Sequence, residues 1–164
     1  MTKRLRMGVV VAALAVSAAC NNSNSPGSPS PTRANFNVHV QPNPATATAC
    51  NPLCTGSTTS DTFAYSVMLT IQMQETAGIG ATINTVTLTG SVGNVFFNPL
   101  VLSSSDIAQH AGSSHVSGLA TLSLPMHIVY NTPTGTSGMT MNVSLQATDD
   151  RNNQIAASAQ ATVN

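Results

Sequence analysis

The sequence predicts an all-β fold, an antiparallel β-sandwich of about seven strands, and three observations predict it. Apolar residues recur at every second position over long stretches, as in strands with one dry and one wet face. The 164 residues include 21 Thr and 19 Ser, small hydroxyls that suit solvated strand faces. Charged residues make up only 6% of the chain and aromatics 4%, with no Trp. So little charge excludes a charged helical bundle. It also excludes a nucleic-acid binder, which needs a basic patch against phosphates.

The elements follow in order. Phe36, Val38 and Val40 alternate with Asn37, His39 and Gln41, a first strand. The longest run has Phe63, Tyr65, Val67, Leu69, Ile71 and Met73 on the inward, odd phase. Thr82–Leu88 is a mixed strand carrying Ile83, Val86 and Leu88, and shorter pieces follow at Val92–Phe97 and Leu100–Leu102. Ser104–Ala111 is the one helix-like stretch, with Ser and Asp able to cap it. Ala120, Leu122, Leu124, Met126, Ile128 and Tyr130 are then inward on even positions. Pro125 lacks a ladder donor and should mark an edge or a bulge there. Met139–Ala147 and Ile155–Val163 complete the set. Strands at this spacing between Ala34 and Asn164 fit one immunoglobulin-like sandwich, with a β-barrel as the competing architecture.

What precedes this domain reads as an address. Lys3, Arg4 and Arg6 form a positive head, and Met7–Ala19 is an apolar run too short to span a bilayer. Residues 1–19 are therefore expected to be a removable signal peptide. The run stops at Val16-Ser17-Ala18-Ala19-Cys20, which resembles the lipobox of bacterial lipoproteins, although Ser17 stands where Leu is usual. That resemblance implies acylation of Cys20, cleavage before it and a lipid anchor in the membrane. Asn21, where an Asp would resemble an inner-membrane retention signal, favours the outer membrane. The mature chain would keep Arg33 and Arg151 against Asp61, Glu75, Asp106, Asp149 and Asp150. An acidic chain without lysine is not held by anionic lipid, so the acyl chains must do the anchoring. Residues 20–33 then form the lipidated cysteine and a Ser/Asn/Pro linker, too polar to bury area and expected to be disordered.

A second resemblance concerns the domain itself. Glu75-Thr76-Ala77-Gly78-Ile79-Gly80-Ala81-Thr82-Ile83 is similar to a strand–turn–strand segment of immunoglobulin-like domains in secreted proteins of soil bacteria. Thr148-Asp149-Asp150-Arg151-Asn152-Asn153 is similar to the turn before their last strand. Asn152 stands where glycine is usual, and Asn is the next most tolerant of a left-handed backbone. The resemblance implies a fold and no catalytic residues.

Candidate chemistry is sparse. Cys50 and Cys54 are the pair available for a disulfide outside the cytoplasm; half of a zinc site or free thiols are the alternatives. His39 and His127 fall on polar strand phases, and His110 and His115 lie in a Gly/Ser-rich region. Met126-His127 and Met139-x-Met141 have the soft donors of periplasmic copper handling, but their methionines occupy inward phases where Met is ordinary filler. Glu75, Asp149 and Asp150 should converge at one end of the sandwich, either as a Ca²⁺ site facing the tether or as turn formers. There is no G-x-S-x-G, phosphate-cradling loop or H-E-x-x-H, so no enzyme is expected. The sequence thus predicts a membrane-tethered, non-catalytic domain with a protein or glycan partner, or alternatively a copper- or zinc-handling lipoprotein.

Overall fold

The computed structural model describes residues 30–55, 61–132 and 138–164. The expected signal peptide, Cys20 and the expected linker as far as residue 29 lie outside the described residues. Pro31–Asn164 form one compact unit. Its elements are β1 (Phe36–Gln41), β2 (Thr48–Thr55), β3 (Thr62–Glu75), β4 (Ala81–Val92), β5 (Val95–Phe96), β6 (Leu100–Ser103), α1 (Ser104–Ala111), β7 (His115–Val116), β8 (Thr121–Tyr130), β9 (Met139–Asp149) and β10 (Gln154–Val163).

The strands form two antiparallel sheets, an immunoglobulin-like sandwich rather than a barrel. In the first sheet β3 is central, with β8 along one side. Its other side is shared: β1 pairs the C-terminal half of β3 and β2 the N-terminal end. In the second sheet β9 lies between β10 and β4. The outer side of β4 carries three short pieces in succession, β7, β6 and β5. Among the described residues β2 and β7 are strands that the alternation did not predict, while β5 and β6 are the short pieces expected after β4. After β1 the chain crosses sheets, and Ala45 makes a parallel bridge to Val163 on β10.

The alternation places the core between the sheets. Burial alternates residue by residue along β1 and β9, and Val67, Leu69, Ile71 and Met73 of β3 are all buried. β4 changes phase part-way: Ala81 and Ile83 are buried, then Val86 and Leu88. A register shift between Ile83 and Thr85 supplies the reason, since one extra residue in a strand turns every later side chain to the other face. Pro125 lies mid-strand in β8, which pairs with β3 alone among the described residues, so the missing N–H falls on an edge strand.

The helix closes part of one open side. Ser103 and Asp106 form a capping box and Gly112 ends α1 at φ 82°. α1 packs against both β4 and β8, and fully buried Ile107 plugs the gap between the sheets. Its eight residues cannot cross a membrane, and no other helix among the described residues is long and apolar enough to do so.

Candidate functional site

The carboxylates singled out in the sequence are the natural starting point. Glu75 ends β3 on its inward phase and is 1% exposed; Asp149 ends β9 the same way at 3%. A buried charge needs partners, and here backbone N–H groups supply them. Glu75 Oε1 accepts from Asn35 at 3.1 Å and Ala77 at 2.8 Å, and Oε2 from Gly78 at 2.7 Å and Leu119 at 2.9 Å. Asp149 Oδ1 accepts from the amides of Arg151 at 2.9 Å and Asn153 at 2.8 Å. Its Oδ2 accepts from Ala34 N at 3.0 Å and from the Asn153 side chain at 2.9 Å.

The electrostatics match the geometry. Burial alone would raise both pKa values, because it penalises the charged form. The hydrogen bonds outweigh it. Four amides hold the Glu75 carboxyl below its ordinary value, and the Asn153 side chain and three amides hold Asp149 down to about 2. Consecutive amides, Ala34 and Asn35, are therefore held by two ionised carboxylates from two different sheets. The point where the chain enters the sandwich is clamped.

Glu75 and Asp149 thus meet at the expected end, but they face amide donors. Lone pairs directed at N–H groups are not directed at a cation, and four bonds on Glu75 and five on Asp149 account for the burial of these carboxylates. Asp150 points elsewhere, its Oδ1 lying 3.2 Å from Nε2 of exposed His115. Among the described residues no three His, Cys, Asp or Glu side chains are grouped to hold a metal. The role that the hydrogen bonds of Glu75 and Asp149 show is turn formation, the other of the two roles expected from the sequence.

The turns they organise have demanding backbones. Asn152 takes φ 65°, the left-handed conformation expected where glycine is usual. Leu119 takes φ 63° with its side chain in solvent, its amide committed to Glu75. A Cβ on Gly118 would stand 2.5 Å from the carbonyl of Gly78, so these two loops touch only because residue 118 has none.

The opposite end is built differently. Here β3 begins, and β4, β8 and β10 finish. Cys50 and Cys54 are joined by a disulfide. Between Ala49 and Cys54, β2 advances five residues while β3 moves only from Tyr65 to Phe63, so the disulfide ties off the surplus chain. Thiolates for zinc or copper are consequently absent from Cys50 and Cys54. Met139 and Met141 are buried filler as expected, and Met126 is half-buried. His39, His110 and His127 lie exposed on the surface.

This end also gathers aromatic rings. The chain has four Phe and two Tyr, and all but Phe36 lie here. Tyr65 and Tyr130 stack at 5.7 Å, and Phe97 approaches Tyr130 at 6.4 Å. Gly90 makes room for Phe97, whose ring would lie 2.8 Å from a Cβ there. Beside this cluster a cleft of about 530 Å³ opens between the sheets. Phe63, Ile128 and Tyr130 line it from the first sheet and Leu88, Met139 and Met141 from the second. Asp61, Asn98 and His127 contribute polar groups. Period-two patterning could not show this cleft, because it tells which side chains face inward but not where the sheets stop covering each other. The clustering of aromatics near strand ends was the available signal.

Comparison with known proteins bears on the fold alone. No family model matches the chain, and no curated protein matches it. Several solved structures are similar in fold, two of them as follows. One is the X-ray structure of a Northeast Structural Genomics Consortium target, with TM-score 0.54 and 10% identity over 77% of this chain and 84% of that one. The other is a crystal structure titled as the putative ApaA protein from Bordetella pertussis. It has TM-score 0.56 and 9% identity over 79% of this chain and 92% of that one. At such identities a shared sandwich carries no activity across.

Proposed function

We propose that the protein is a membrane-tethered, non-catalytic immunoglobulin-like lipoprotein, acting as a binding or spacer module in the cell envelope with its anchor in the outer membrane. One observation carries this reading: the ends of the sandwich have opposite characters. The chain enters at Ala34 and Asn35, between two buried carboxylates that fix it firmly. The open, aromatic-rich cleft lies at the other end, where a tethered domain would present it to a partner. The positive head, short apolar run and small residues before Cys20 supply the tether. The alternative of copper or zinc handling is weaker, since Cys50 and Cys54 are bonded to each other.

The test is fractionation. Wild-type protein should stay with membranes through a high-salt wash and leave them in detergent, because acyl chains rather than charges hold it. Cys20→Ser should remain uncleaved or be released. A variant that fractionates and migrates like wild type would overturn the tether.

A further inference from the structure

The cleft at the far end has properties that narrow what it can hold. Its volume, about 530 Å³, falls inside the roughly 300–1,000 Å³ range of ligand pockets. It is deep as well as roomy, since buried Leu88, Met139 and Met141 form part of its wall. Ile107 of α1 fills only part of the gap between the sheets on this side. A second cleft, of about 780 Å³, lies beside α1 between Leu102 and Met126, and Gln41, Asp106 and His110 give it a more polar wall. An apolar body entering the cleft at the aromatic end would pack against Leu88, Met139 and Met141 and cover half-buried Phe63 and Ile128 and exposed Leu100.

Charge selects the rest of the ligand. Among the described residues no lysine or arginine lines the cleft. Exposed Asp61 supplies the one carboxylate among the described lining residues, and His127 the one imidazole. An anionic head would meet repulsion without compensation, whereas a cationic head would find Asp61. We propose that this cleft binds a small amphiphile, its apolar body between the sheets against Met139 and Met141 and its cationic head at Asp61. The inference deepens the reading of the domain as a binding module and rests on it.

The experiment uses the full mature chain in lipid nanodiscs, with methionine methyl groups labelled for NMR. Octyltrimethylammonium is the probe, octanol and octyl sulfate are its neutral and anionic comparators, and empty nanodiscs correct for partitioning. The expected result is a saturable shift of the Met139 and Met141 methyls. Met73, buried towards the other end of β3, and Met68, exposed on the outer face, should stay unmoved. The cation should bind about twofold to fivefold tighter than octanol, the range of one exposed ion pair, and octyl sulfate weaker than both. Asp61→Asn, at an exposed position, should remove that preference and leave octanol binding intact. Shifts that grow without saturation at all methionines, or equal binding of octyl sulfate, would overturn the site. A preference that survives Asp61→Asn would overturn the role of Asp61. A chain that ignores all three probes yet stays on membranes loses the cleft and keeps the spacer. One that binds the probe but fractionates as soluble loses only the tether.

Discussion

The two ends of this sandwich finish the same pair of sheets in opposite ways. Where the chain enters, inward-facing strand positions end in Glu75 and Asp149, and every carboxylate oxygen is occupied by backbone donors. At the far end the inward positions are Phe63, Tyr130, Met139 and Met141, and no loop among the described residues closes over them. A buried carboxylate is directional and collects loops around it. Apolar side chains are not directional and can leave a gap at modest cost. The first end is therefore specified by buried carboxylates, and the second by apolar packing with a surface disulfide and the exposed Asn131 hydrogen bonds at its rim. The contrast separates a place of attachment from a place of contact.

The largest way to break this comparison is at Glu75. Replacing it with Ala removes the acceptor of four amides from Asn35, Ala77, Gly78 and Leu119. One orphaned buried donor costs about 1–3 kcal/mol, so Glu75→Ala should lose about 3 kcal/mol in denaturant melts. That would rival Leu69→Ala, a mid-strand core truncation expected to cost roughly 2–5 kcal/mol. Thr70→Ala, one residue along on the wetter face, should stay within about 0.5 kcal/mol. If Glu75→Ala behaves like Thr70→Ala, the clamp contributes nothing and the two ends are energetically alike.

Acid probes the same end without mutation. Both carboxylates have lower pKa values folded than unfolded, since unfolding exchanges their directed amides for water. Their contribution is complete above the ordinary carboxylate range and is lost as pH falls through the folded values. For Asp149 that loss continues down to about 2. Stability should therefore fall from the ordinary carboxylate range towards pH 2, and amide exchange should rise at Ala34 and Asn35 before it rises in the centre of β3. Uniform exchange along both segments would mean that protonation does not act through the clamp.

Much of this contrast was written in the sequence, though not all in readable form. The phases of β1, β3, β8, β9 and β10 follow from alternation alone, as does α1 from Ser103, Asp106 and Gly112. β4 resisted because a single extra residue near Asn84 reverses its phase, and a bulge has no compositional mark. Glu75 and Asp149 stand out in the sequence as acids, but their strand phase is the better clue. Each continues an inward odd series, Leu69-Ile71-Met73-Glu75 and Val143-Leu145-Ala147-Asp149. An acid in phase with a core faces the interior and must find donors there, which already favours amides over an ion. The disulfide is legible from the one cysteine pair available outside the cytoplasm, but the surplus residues it ties off need the register of β2 against β3.

The smallest expected effect sharpens the far end. Phe96 is 79% exposed on the two-residue strand β5, beyond the hairpin turn at Gly93. A ring so exposed buries little area, so Phe96→Ser should change stability by no more than about 0.5 kcal/mol. Phe97, one residue later, is the internal control. Its ring lies 6.4 Å from Tyr130 and occupies the space left by Gly90, so Phe97→Ser should cost several times more. Neighbouring phenylalanines that differ so widely would show that this end is held from inside by one ring, while the other adds nothing to the fold. Equal losses at both positions would show that Phe96 is also part of the packing, and the far end would then be closed by its aromatics rather than left open by them.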